Sequence, residues 1–149
     1  MKEHITGNYM IYKFYNRKNN DMVTEFFLPD ESLARYFRRL ATIKSYKENC
    51  YQIAGILYVS HEAYLNARLT NYVEEYCYLD AEEQETRRQY RRNELSAEVA
   101  LKTIEMYEDS KWTKLKQISS VVRRLINNEY DVDNEIALQL YDQYLRTML

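Results

Sequence analysis

The side chains that most often carry catalysis are scarce in this chain. His4 and His61 are its only histidines, and Cys50 and Cys77 are its only cysteines. A nucleophilic pair would have to place a cysteine beside His61, but both cysteines fall in apolar segments typical of a buried core. Two isolated glycines cannot build a phosphate-binding loop. The sequence therefore predicts a non-enzymatic protein without catalytic residues.

Metal-ligand spacings are missing from the sequence as well. Neither Cys-x-x-Cys nor His-Glu-x-x-His occurs. Asp131–Asn134 is similar to the start of a calcium loop, but the turn glycine and the closing glutamate of such a loop are absent. This segment is better explained as the capped start of a helix. We expect neither a metal ion nor a cofactor.

A short apolar segment that ends in serine is the most specific motif. Ile53–Ser60 reads Ile-Ala-Gly-Ile-Leu-Tyr-Val-Ser. It resembles the second helix and turn of helix-turn-helix DNA-binding proteins, within Glu31–Leu79 at most. The resemblance implies that Ser60 opens a recognition helix in the major groove. The residues implied to contact DNA are Ser60, His61, Glu62, Asn66, Arg68 and Asn71. The same pattern also fits a plain packing corner between two core helices.

Four arginines around one tyrosine form the strongest local charge feature. We call this run the Arg87–Arg92 patch. Arginine can contact phosphate or carboxylate through two donors, and tyrosine can stack, so the run is a candidate surface for phosphate or an acidic protein. Glutamates on both sides favour instead a solvated helix face with internal ion pairs. The members of the patch are Arg87, Arg88, Tyr90, Arg91 and Arg92.

The elements that would position these residues are predicted mainly as helices. Two strand-like runs, Tyr9–Tyr15 and Val23–Leu28, predict an N-terminal β-hairpin. Cys50–Tyr58 fits either a short helix or a third strand. Apolar spacing and capping residues predict the helices Glu31–Lys44, His61–Leu79, Asp80–Asp109, Lys111–Asn127 and one that begins after Asp131 or Asp133.

The predicted fold is mainly α, with the N-terminal β-hairpin followed by a bundle of about five to six helices. The polar stretch Ala81–Glu94 is a plausible joint. It would divide the chain into residues 1–80, a β-hairpin plus helical unit with the helix-turn-helix-like segment, and residues 81–149, a C-terminal helical unit. We expect both to pack as one compact domain.

Composition and charge limit the expected cellular compartment and the kind of partner. Two cysteines are few for a small secreted domain, Met1–Asn8 is too polar for a signal peptide, and no apolar run is long enough to span a membrane. We therefore expect a cytoplasmic protein. The net charge of -2 provides no global basic field, so contact with nucleic acid would need a local patch.

Two hypotheses about function follow. The first is a regulatory or accessory protein that binds DNA through the helix-turn-helix-like segment. The alternative is a helical adaptor or inhibitor, of the phage or mobile-element type, that binds another protein such as a nucleic-acid enzyme. Its contacts would be the tyrosine-rich hairpin and the Arg87–Arg92 patch. A homodimer is compatible with either hypothesis.

Overall fold

A small sheet and three helices make up the described part of the chain. The computed structural model describes residues 10–15, 22–27, 50–53 and 56–149, with side chains from Ser60 onward. The strands are β1 (Met10–Tyr15), β2 (Met22–Phe27), β3 (Cys50–Ile53) and β4 (Ile56–Ser60). The helices are α1 (His61–Arg91), α2 (Ala97–Asn127) and α3 (Glu135–Thr147).

The four strands form one sheet in the order β2-β1-β4-β3. β1 pairs antiparallel with β2, where Met10 lies opposite Phe27, and parallel with β4, where Tyr12 lies opposite Leu57. β3 pairs antiparallel with β4. The strands are rich in aromatic and β-branched residues, which fit a pleated surface.

The prediction of five to six helices is wrong for the described residues, which contain three. Residues 61–149 fold only into helices and short connections, so the mainly helical character is confirmed there. The predicted helix Glu31–Lys44 and the segment between β1 and β2 lie outside the described residues.

Two of the predicted helix boundaries do not exist. α1 continues through Asp80, whose carboxylate accepts a hydrogen bond from Lys111 Nζ at 2.7 Å and does not cap a new helix. α2 likewise continues through Ser110. A polar residue inside a helix is tolerated when a neighbouring helix supplies its partner, and that partner is invisible to local sequence pattern.

The true break between the first two helices is the short connection Arg92–Ser96. Asn93 has a φ of 62°, a left-handed conformation that asparagine tolerates at the end of a helix. Ser96 caps α2, since its side-chain oxygen accepts a hydrogen bond from Val99 N at 3.2 Å. A later cap also differs from prediction: Asn134, rather than Asp131 or Asp133, caps α3 by accepting from Ala137 N at 3.0 Å.

The chain divides into two compact units, Met1–Arg68 with Glu129–Asp131 and Leu69–Asn128 with Val132–Leu149. The second unit, which we call the helical unit, has a core along one face of α2. The buried apolar residues of that face recur at spacings of three and four, as a helix that packs on one side requires. They include Ala100, Ile104, Leu115, Ile118, Val122 and Leu125. None of the helices within 61–149 carries an apolar stretch suited to crossing a bilayer.

Candidate functional site

The segment that resembles a helix-turn-helix is not helical. Its described residues, Ile53 and Ile56–Ser60, lie in β3 and β4 where a helix was expected before the recognition helix, so that expectation is wrong for them. The residues implied to contact DNA are also covered. Those that are buried are Ser60, His61, Glu62, Asn66 and Asn71, and Arg68 is half-buried.

Several of these residues instead fix the connection before α3. Asp131 N donates to Glu62 Oε2 at 3.1 Å, and Asn66 Nδ2 donates to the Asp131 carbonyl oxygen at 2.9 Å. His61 Nδ1 lies 3.3 Å from the hydroxyl of Tyr130. Burial and the charge of Glu62 raise the pKa of Tyr130. These contacts satisfy buried polar groups, which is a structural role.

The Arg87–Arg92 patch lies on α1 and in the connection after it, and carboxylates neutralise most of its charge. Arg88 Nη2 lies 2.8 Å from Glu85 Oε2, and Arg92 Nε lies 2.6 Å from Glu94 Oε2. The hydrogen bond from Arg88 is the main reason that the pKa of Glu85 lies below its usual value. Arg91 and Tyr90 are exposed, with Tyr90 at 44%. The structure therefore gives this patch internal partners.

Arg87 belongs to an ion-pair network between α1 and α2. Its Nε lies 3.0 Å from Oε2 of Glu83, whose side chain is only 5% exposed. Lys111 reaches both Glu83 at 3.4 Å and Asp80 at 2.7 Å. Burial alone would lower the pKa of Lys111, but the hydrogen bond to Asp80 and the neighbouring negative charges raise it. The network holds two helices together and has little charge left for a ligand.

A second basic cluster lies in a cleft between α2 and α3, which we call the α2–α3 cleft. Its volume is about 310 Å³, and its walls carry three cations, three hydroxyls and no carboxylate. α2 supplies most of the lining at spacings of three and four, so these side chains share one face. The lining residues are Lys116, Ser119, Ser120, Arg123, Arg124 and Tyr144.

Two of the three cations of the α2–α3 cleft are less neutralised than the arginines of the Arg87–Arg92 patch. Among the described residues, Lys116 and Arg123 have no carboxylate within ion-pair distance, and both side chains are exposed. Residues 111–127 contain five cations and no carboxylate. An anion between Lys116 and Arg123 would therefore meet two positive charges that no described carboxylate neutralises.

Ser119 adds an unused hydrogen-bonding group to the cleft. The residue is 3% exposed, and its Oγ has no hydrogen-bond partner among the described residues. Several threonine hydroxyls in these helices donate to the carbonyl four residues earlier, as Thr103 does to Val99 O at 2.8 Å. An unpaired buried hydroxyl costs free energy, and an acceptor in the cleft would recover it once a shift of the side chain exposes the covered Oγ atom.

An aromatic recess, which Trp112 helps to line, is the second concave feature of the helical unit. It has a volume of about 170 Å³ and is lined by Tyr76, Glu108, Lys111, Trp112, Leu115 and Gln143. The ring centroids of Trp112 and Tyr144 are 5.4 Å apart, so this pair connects the recess with the cleft that Tyr144 lines. Lys111 Nζ lies 5.4 Å from the centroid of the Tyr76 ring.

Sequence reasoning missed both features, although one signal was present. Positions 116, 119, 120 and 123 form a polar stripe on a helix whose first half is acidic and whose second half is basic.

A further correction concerns Cys77, which is exposed rather than buried. Within the described residues, no group of three or more potential metal ligands comes together.

No protein-family model, curated protein or solved structure matches this chain.

Proposed function

We propose that this protein is a non-enzymatic accessory protein that binds nucleic acid through the α2–α3 cleft. The observation that supports the proposal is a cleft wall of three cations and three hydroxyls without a carboxylate. Lysine, arginine, serine and tyrosine are among the side chains that contact phosphate oxygens. The proposal keeps the DNA-binding function expected from the sequence but assigns it to different residues.

A simpler explanation of the basic residues is the helix dipole, which favours cations at the end of a helix. That effect is confined to about the last turn, and α2 ends at Asn127. Arg124 lies in that turn, but Lys116 and Arg123 lie before it. The dipole therefore does not account for the two cations that lack carboxylate partners.

A protein partner is a second candidate, supported by the first half of α2. Val99 and Met106 lie seven residues apart on one face and are 50% and 55% exposed. Ala97–Ser110 carries four carboxylates and one lysine. Charge complementarity favours a basic, amphipathic partner. A synthetic basic amphipathic helix should shift the Met106 methyl resonance, its scrambled version should not, and Val99→Glu should abolish the shift.

The main proposal is tested by the salt dependence of DNA binding. Fluorescence anisotropy of a labelled DNA duplex should show an affinity that falls about 10- to 40-fold between 50 and 200 mM salt, as two or three phosphate contacts require. The double variant Lys116→Glu/Arg123→Glu should lower the affinity at least about 10-fold and reduce the salt slope by about two.

A matched control makes the same change of charge in the Arg87–Arg92 patch. Arg88→Glu/Arg91→Glu should change the affinity by no more than about twofold, because those charges act only at a distance and are screened. Equal losses in the two double variants would indicate a nonspecific effect of net charge. Absence of salt-sensitive binding by the unmodified protein would refute the proposal.

A further inference from the structure

The cleft and the aromatic recess are close enough to serve one ligand. Lys116 lines the cleft, and Trp112, one helical turn earlier on α2, lines the recess. Residues four apart on a helix are neighbours, with Cβ atoms about 6 Å apart. A phosphate held by the cations would therefore place an attached group within reach of the indole ring.

The recess suits a planar group with polar edges. Its volume of about 170 Å³ is below the range of about 300–1,000 Å³ typical of whole small-molecule sites. Trp112 provides a half-buried ring, and Glu108 and Gln143 add hydrogen-bonding atoms at the rim. A nucleobase has both a stacking face and a hydrogen-bonding edge.

We infer that the site binds single-stranded nucleic acid, with phosphate in the α2–α3 cleft and an unpaired base stacked on Trp112 in the recess. This inference rests on the proposed function. In a duplex the base faces are covered by their neighbours, so Trp112 could reach one only if the base were unstacked at a cost. A cationic groove beside an aromatic platform is the usual arrangement for binding single strands.

The test uses the fluorescence of Trp112, which is the only tryptophan of the chain. A single-stranded oligonucleotide should quench the emission of the full-length protein saturably, and the matching duplex should bind more weakly and quench less. An abasic strand of the same length keeps the phosphates and removes the stacking faces. It should bind about 5- to 150-fold more weakly than the normal strand, the range expected for one stacked base.

Variants separate stacking from a general effect on the fold. Trp112→Leu should lower the affinity for the normal strand, measured by anisotropy, by the same factor. It should change the affinity for the abasic strand little. Trp112→Phe should restore most of the affinity, because it keeps an aromatic face. Tyr78→Leu is the matched control, since Tyr78 is 64% exposed on α1 and lines neither the cleft nor the recess.

The possible outcomes separate the stacking inference from the proposed binding of nucleic acid by the α2–α3 cleft. The stacking inference would be overturned if normal strand, abasic strand and duplex bound with equal affinity and left the tryptophan emission unchanged. If Lys116→Glu/Arg123→Glu still weakened that binding, the proposed function would stand. No salt-sensitive binding of any of the three would overturn both. Should Trp112→Leu fail to fold, the quenching and abasic-strand results on the unmodified protein still decide the question.

Discussion

The helical unit carries two cationic clusters that differ in what surrounds them. In the Arg87–Arg92 patch, Arg88 and Arg92 each contact a glutamate within about one turn along the chain, and Arg87 contacts the buried Glu83. In the α2–α3 cleft, the cations line the walls with hydroxyls and without acids. A run of arginines in a sequence is thus a weaker guide to an anion site than the absence of acids around dispersed cations.

The first prediction, with the largest expected effect, concerns the stability supplied by the Arg87–Arg92 patch. Glu83→Ala removes a 5% exposed carboxylate between Arg87 and Lys111. Breaking a fully buried pair costs about 3–5 kcal/mol. Because the Arg87 side chain is 40% exposed, we expect a smaller loss, about 1–2 kcal/mol of the free energy of unfolding in urea.

Glu85→Ala is the control for that prediction, because Glu85 also pairs with arginine but lies at the surface. Its effect on urea unfolding should be much smaller than that of Glu83→Ala. Neither variant should weaken DNA binding. A comparable loss of stability in both would show that burial of Glu83 is not what makes its ion pairs matter.

The second prediction exposes a conflict between binding and stability in the α2–α3 cleft. Ser119→Ala removes a buried hydroxyl that has no partner among the described residues. We expect the free energy of unfolding to stay constant or to rise by up to about 1 kcal/mol. DNA affinity should fall a few-fold, on the order of one hydrogen bond. Thermal melts and anisotropy measure the two effects.

Ser120→Ala is the control for the Ser119 variant, since Ser120 lines the same cleft but is exposed. Its hydroxyl is already solvated in the free protein, so its removal should not stabilise the fold. A clear loss of stability in Ser119→Ala would mean that the hydroxyl already forms a hydrogen bond within the protein and is not available to a ligand.

The third and smallest expected effect is electrostatic and local. Arg88 holds the pKa of Glu85 below its ordinary value, chiefly through their hydrogen bond. A carboxylate with a depressed pKa stabilises the fold above its unfolded pKa, and this contribution disappears as the pH falls through the folded pKa. In Arg88→Ala, the pKa of Glu85 measured by carboxyl ¹³C NMR should move up toward the usual value. An unchanged pKa would show that the ion pair is not formed in solution.

The helix termini show how far local sequence could predict this fold. The end of α2 at Asn127 agrees with the sequence, and Asn134 is close to the predicted cap of α3. The connection Arg92–Ser96 was missed although Asn93 and Ser96 are ordinary capping residues. Asp80 with Glu83 imitated a capping box more strongly, while both side chains in fact pair with Lys111, about 30 residues away.

The candidate site was less predictable than the helices. Ser60, His61 and Asn66 looked like an exposed recognition surface because their spacing suits the start of a helix. For His61 and Asn66, the partners are Tyr130 and Asp131, which contact them from about 65–70 positions along the chain. No local pattern contains that information, since it arises only when the connection before α3 folds back on the start of α1.

By itself, the sequence determined the helical character of residues 61–149, because apolar residues recur at helical spacing and helix-breaking residues are rare. It also determined the separation of acidic and basic residues along α2. Which of these charges are neutralised depends on contacts that form when the helices pack. Ion pairing and burial depend on side chains that are distant in sequence and become neighbours in the folded protein. Lys111 therefore forms ion pairs with Asp80 and Glu83 of α1, while Lys116 lines an open cleft.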